Sequence, residues 1–177
     1  MSNKGSKLTL KITTTAIFIA VGVVLSALNP FGYFLIFGTK INPFAHLINA
    51  MTGVLIGFLF STITALGIAI IRFSFSLGTI HAFHGGISGA VVVGLIAYIL
   101  KKKDPKYTIY AALFEPIGTV FIGGSIGYLV APIGSTVISG LLTYWWLFFL
   151  SSIVGTILGF LMLLILKRAG YTWENFS

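Results

Sequence analysis

Apolar residues fall in long blocks along this chain, and charged residues gather where the blocks end. Read at the length of a membrane-crossing helix, the blocks predict six spans, at about 10–28, 43–57, 59–73, 83–100, 107–130 and 137–166. Lys4, Lys7 and Lys11 open the first and Arg72 closes the third. The run Lys101-Lys102-Lys103-Asp104-Pro105-Lys106 stops the fourth, and Lys167-Arg168 follows the sixth. Pro43 suits the first turn of the second, where a missing N–H costs nothing. The second and third blocks are shorter than the roughly 20 residues of a straight span, so they are expected to tilt or to bury their ends in protein. The pattern predicts an all-α membrane protein, one domain over residues 1–177, with six transmembrane helices.

Composition agrees. The chain is 57% hydrophobic and 8% charged, against about 45–50% and 25% in soluble proteins. Having no cysteine, it has no disulfide and no thiolate metal site. The first block is too long for a signal-peptide core and no small-residue cleavage site follows it, so it reads as a retained helix.

The net charge of +8 raises the question of nucleic acid, but the basic residues sit at span ends, and no nucleic-acid partner is expected. With six spans both termini share a side. That side collects Lys4, Lys7, Lys11, Lys101, Lys102, Lys103, Lys106, Lys167 and Arg168; the other holds Lys40 and Arg72. The bias predicts both termini in the cytoplasm of a multi-pass cell-membrane protein. Tyr107, Tyr110, Tyr171 and Trp173 read as interfacial anchors. Lys40, Asn42, His46, Asn49, Arg72, His81 and His84 then fall at or near the outer face. The loops there, 29–42 and 74–82, are rich in Gly, Phe and Thr, a composition suited to a lid.

Among three acids, Glu115 alone lies in an apolar run, Tyr110 to Ile122. An ionisable group in hydrocarbon costs a few kcal/mol or more and rarely persists without a partner or a task. Pro116 removes a backbone donor beside it and can kink the helix, and freed carbonyls with the Thr119 hydroxyl can join Glu115 in a polar pocket. Glu115 is either a substrate anchor or a buried carboxyl that holds helices together. It lies about eight residues into its span, which at about 1.5 Å per residue puts it on the cytoplasmic side of the middle, as the floor of an outward pocket.

The second span carries His46, Asn49, Gly53 and Gly57 at helical spacing on one face. This suits a ligand pocket above close helix packing, or interhelical hydrogen bonding alone. Arg72 either forks onto a polar or anionic ligand or snorkels to head groups. His81 and His84 have metal-ligand spacing, but no acid accompanies them and His81 reads as loop, so no metal site is expected. Ala16 and Ala20, and Gly22 and Ser26, form small-xxx-small pairs that let a helix approach closely. Tyr144, Trp145 and Trp146 read as an aromatic belt, from which one indole can stack on a flat ligand. No phosphate-binding G-x-x-x-x-G-K-[ST], no H-E-x-x-H, no G-x-S-x-G and no pair of intramembrane acids occurs.

Three stretches resemble the signatures of one family: Gly38 to Gly57 with Asn42, His46 and Asn49; Ile71-Arg72 with Leu77-Gly78-Thr79 and Ala82-Phe83; and Glu115-Pro116-Ile117-Gly118-Thr119. The family is ThiW, and with the six-span layout the likeness covers most of residues 12–165. The chain differs from the family pattern at Ala45, where Gln is usual, and at His84-Gly85-Gly86, where Pro-Gly-Ser is usual.

The resemblance implies a substrate-capturing S component of an energy-coupling factor (ECF) transporter. The implied ligand is hydroxyethylthiazole, the thiazole precursor of thiamine, with thiamine or another small heterocycle as the alternative. The implied site is Lys40, Asn42, His46, Asn49, Arg72, Thr79, His84, Glu115 and Thr119, with Trp146 or Phe83 over the ring and loop 29–42 closing above. Ala16 and Ala20 would dock on a transmembrane coupling subunit joined to two cytoplasmic ATPases, so the chain itself would need no cofactor and be no enzyme. Two readings stand beside this one: an intramembrane enzyme using His46, His84 and Glu115, and a proton-coupled carrier with Glu115 as the proton site.

Overall fold

The computed structural model describes residues 3–30, 35–36 and 39–177. Its helices are α1 (Asn3–Ala27), α2 (Pro43–Leu55), α3 (Phe58–Ser74), α4 (His81–Lys103) and, after an irregular stretch, α5 (Gly124–Val130) and α6 (Val137–Arg168). The irregular stretch and α5 together make one continuous helix over the expected fifth span, Pro105–Val130. Two residues each of β1 (Leu35–Ile36) and β2 (Thr39–Lys40) pair antiparallel before α2. The proposed lid, loop 29–42, lies partly outside the described residues, at 31–34 and 37–38.

Among the described residues four helices are long and apolar enough to cross a membrane: Gly5–Ala27, His81–Lys103, Pro105–Val130 and Val137–Arg168. The other two expected spans fall short, α2 with 13 residues and α3 with 17. The reason is visible in α2, where all residues but Phe44 and Leu47 are buried. It packs against α6, α4, α3, α1 and the fifth span, so protein rather than lipid satisfies its ends. Gly57 makes the two-residue turn to α3 with φ +81°, a conformation that a side chain would strain. Outward, the bundle exposes large aliphatic side chains such as Ile17, Val24, Leu59, Ile70, Ile99 and Leu129, as a lipid-facing surface requires.

The fifth span is wound two ways. Pro105–Phe114 is 3-10 helix and Ile117–Gly123 is π-helix, and the change falls at Glu115-Pro116. Proline supplies no N–H there, so the hydrogen-bond register can switch. The 3-10 half rises about 2.0 Å per residue rather than about 1.5 Å. Over ten residues Glu115 is therefore carried about 5 Å farther from the Pro105 end than a regular helix would carry it. The sequence-based depth, below the middle of the bundle, is corrected accordingly, and the carboxyl reaches the level of His46 and Asn49 in α2.

At the far end, the basic residues meet the C-terminus. Lys7 Nζ donates to the Ser177 carbonyl, Lys101 Nζ lies 3.8 Å over the Trp173 ring, and Lys106 Nζ lies 2.9 Å from Asp104 Oδ2. The Lys106 hydrogen bond holds the Asp104 carboxyl below its ordinary range.

Candidate functional site

Glu115 has no exposed surface. Its Oε1 lies 2.8 Å from His46 Nδ1, 3.1 Å from Asn49 Nδ2 and 2.7 Å from Thr119 Oγ1. Thr156 Oγ1 approaches Oε2 at 3.4 Å. α2, the fifth span and α6 thus converge on one carboxyl. Asn49 also donates to the Gly86 carbonyl at 2.9 Å, bringing in α4. The approach needs glycine at 89 and 155. A Cβ on Gly89 would overlap Glu115 Oε1 and Thr119 Oγ1, and one on Gly155 would overlap the Pro43 carbonyl and sit 2.7 Å from His46 Cβ.

Above this cluster, at the end opposite Lys7, Lys101 and Lys106, opens a cavity of about 470 Å³, its mouth included. Much of that space is the open mouth; the enclosed free volume is about 40 Å³. Of the residues expected to bind substrate, Lys40, Asn42, His46, Arg72 and Thr79 line it. Asn49, His84, Glu115 and Thr119 do not line it and form the layer behind the wall. Trp146 is exposed and stacks on Phe149, with ring centroids 6.0 Å apart, away from the cavity. The aromatic wall is instead Phe148, one helical face away on α6. Phe83 packs edge-on against Phe73.

The main residue missed by sequence reasoning is His81. It opens α4 rather than lying in a loop, and it lines the cavity. Its Nδ1 lies 2.9 Å from His84 Nε2, and His84 Nδ1 lies 2.7 Å from the Gly123 carbonyl. A carbonyl only accepts, so His84 Nδ1 carries the proton. With both rings neutral, His84 Nε2 must accept from His81 Nδ1–H, which leaves His81 Nε2 a bare acceptor. The pair is thus a relay that fixes one tautomer at the cavity wall. Among the described residues no group of three His, Asp or Glu side chains is placed to hold a metal.

Arg72, at the end of α3, is only 5% exposed, so it does not snorkel. Its Nε is buried without a partner, as is Asn42 Oδ1 on the same cavity wall. Lys40 Nζ donates to the Ser76 carbonyl at 2.8 Å and ties the β1–β2 hairpin to the loop after α3. Ser76 itself holds φ +56°, a left-handed conformation unusual for serine. Ala45 and Gly86, two of the positions where the chain differs from the family pattern, line the cavity.

The small-xxx-small pairs of α1 face opposite ways. Gly22 and Ser26 are buried, with Gly22 against Ile68 and Ser26 Oγ accepting from Asn42 Nδ2 at 2.7 Å. Ala16 and Ala20 are exposed.

No curated protein and no solved structure matches the chain. The family model described as thiamine-precursor transporter protein (ThiW) matches residues 12–169, nearly the whole bundle with its cavity, and the chain belongs to that family.

Proposed function

We propose that this member of a thiamine-precursor transporter family is the substrate-capturing subunit of an ECF-type importer and that it binds hydroxyethylthiazole in the cavity between α2, α3, α4 and α6. The observation that carries the reading is the buried His46–Glu115 pair beneath a lined, open cavity. In this reading Asn49 and Thr119 hold the Glu115 carboxyl, Glu115 holds the His46 imidazole, and His46 faces the ligand. Phe148 and Leu147 cover the ring face, while the side arm points to Arg72, Lys40 and Thr79. Glu115 and His84 act from behind the wall, Glu115 by orienting His46 and His84 by fixing His81. The segment before α2, latched by Lys40 to Ser76, is the lid.

The bundle sits with its cavity outward and both termini in the cytoplasm, α2 and α3 completing six passes as short spans, α2 buried in protein and α3 exposing one side. The separation of Lys7, Lys101 and Lys106 from Lys40 and Arg72 supports that orientation. Energy comes from partner chains, a coupling subunit and two ATPases, which meet the exposed Ala16/Ala20 face of α1. Calorimetry with hydroxyethylthiazole and thiamine tests the site: binding of neither ends this reading. Replacing Ala16 and Ala20 together by leucine is expected to abolish uptake in cells while the purified protein binds as before. Uptake at the wild-type rate would remove α1 as the docking face.

A further inference from the structure

We infer that the ligand enters this cavity as an anion, a phosphate monoester of the small heterocyclic alcohol, with its charge seated on Arg72. The inference rests on the reading of the cavity as the ligand site and sharpens its substrate class.

Arg72 is a buried cation with no counter-ion in this chain. The sequence has three acids. Asp104 pairs with Lys106, Glu115 with His46, and Glu174 lies in the short turn Trp173–Phe176 at the opposite end. Among the described residues the guanidinium makes no hydrogen bond to protein, and its Nε is buried and unpartnered. A buried charge without a partner is costly, and such groups persist where a ligand completes them. The carboxyl-terminal dipole of α3 offsets only part of the charge. Its last carbonyls are already used, Ile71 O by Phe75 N, and Arg72 O by Leu77 N and Gly78 N.

The side chain is also held in place. The turn after α3 folds over it, and a Cβ on Gly78 would lie 3.4 Å from both Arg72 Cζ and Nε. Lys40 adds a second positive charge to the lining, and no acidic side chain lines the cavity. A planar guanidinium matches phosphate or carboxylate through two parallel hydrogen bonds. The His81 acceptor separates these two. A phosphate monoester loses its second proton near pH 6 and so still offers a P–OH to His81 Nε2 around that pH, whereas a carboxylate offers none.

Phospholipid head groups share this chemistry, so the test is made in phospholipid-free maltoside detergent. Calorimetry compares hydroxyethylthiazole, its phosphate monoester and inorganic phosphate on the full-length protein. The expected result is at least tenfold tighter binding of the ester than of the alcohol, with inorganic phosphate weaker than either. Arg72→Gln is expected to erase that preference and Arg72→Lys to keep part of it, with thermal unfolding used to check that each variant is folded. Should Arg72→Gln not fold, Lys40→Gln at the cavity mouth is expected to narrow the same ratio. Equal binding of alcohol and ester overturns the anionic class and leaves the proposed thiazole site standing. Binding of none of the three overturns both. A phospholipid retained by the wild type and lost from Arg72→Lys, seen by native mass spectrometry, assigns Arg72 to lipid and also overturns the inference.

Discussion

A carboxyl group cut off from water must be met by donors, and Glu115 is met on one oxygen by His46, Asn49 and Thr119. Such an arrangement fixes the imidazole more than it offers the carboxyl to a ligand. Hydrogen bonds to charged groups contribute about 1.5–3 kcal/mol. Glu115→Gln keeps the shape and the oxygen but removes the charge. Its expected effect is ligand binding weakened about ten- to a hundredfold, with an unfolding transition that stays cooperative. Unchanged affinity, measured by calorimetry, would reduce Glu115 to helix packing. The oddity of Glu115 was legible from one acid in an apolar run, but its partners were not, because His46 is 69 residues away and nothing local encodes the pairing. The aromatic wall was legible in principle. Tyr144, Phe148, Ser151, Gly155 and Gly159 recur at helical spacing and are all buried, which marks the inward face of α6, and Trp146 lies off that face.

Helix boundaries explain the other differences between expectation and structure. The fifth span was read as regular helix because composition does not register winding. Only Pro116 hinted at the change, and the switch from 3-10 to π-helix at that point moves Glu115 to the depth of His46. The π-helix beside it matches the tendency of such bulges to accompany functional sites. On α4 the close approach to the fifth span makes two glycines behave oppositely. Gly89→Ala drives a methyl into Glu115 and Thr119, so it is expected to destabilise by about 1–3 kcal/mol. A Cβ on Gly86 meets nothing within 4 Å, yet Gly86 lines the cavity. Gly86→Ala should therefore leave stability unchanged or raise it by up to about 1 kcal/mol through helix propensity, while the added methyl takes ligand space. Thermal unfolding combined with ligand titration reads both. A loss of stability in Gly86→Ala without loss of binding would contradict the cavity's placement.

At the scale of the whole molecule, charge asymmetry and depth organise the protein together. Basic residues crowd one end with the C-terminus, and two cations line the cavity at the other. In the proposed reading the positive-inside rule converts that asymmetry into an orientation, cavity outward. The proposed six passes need the two short helices α2 and α3, which reverse at Gly57 and return the chain to the side it left. Were they a re-entrant pair instead, the order of the remaining spans would be unaffected, and the termini would still share a side. What distinguishes the two arrangements is the depth of the Gly57 turn, near the basic end in one and halted at mid-depth in the other. The chain has no cysteine, so single thiols report position without background. Ser135 and Ser177 are exposed at opposite ends of α6. Ser135→Cys is expected to react with a membrane-impermeant maleimide on intact cells, and Ser177→Cys only after the membrane is opened. Gly57→Cys is unsuitable there because of its positive φ, so Leu59→Cys, exposed beside the turn, takes its place. Its labelling only after opening is the result expected of two full passes, since a turn halted within the bilayer leaves that thiol unreactive from both sides. Labelling of Ser177→Cys on intact cells would invert the orientation and turn the cavity away from any external ligand.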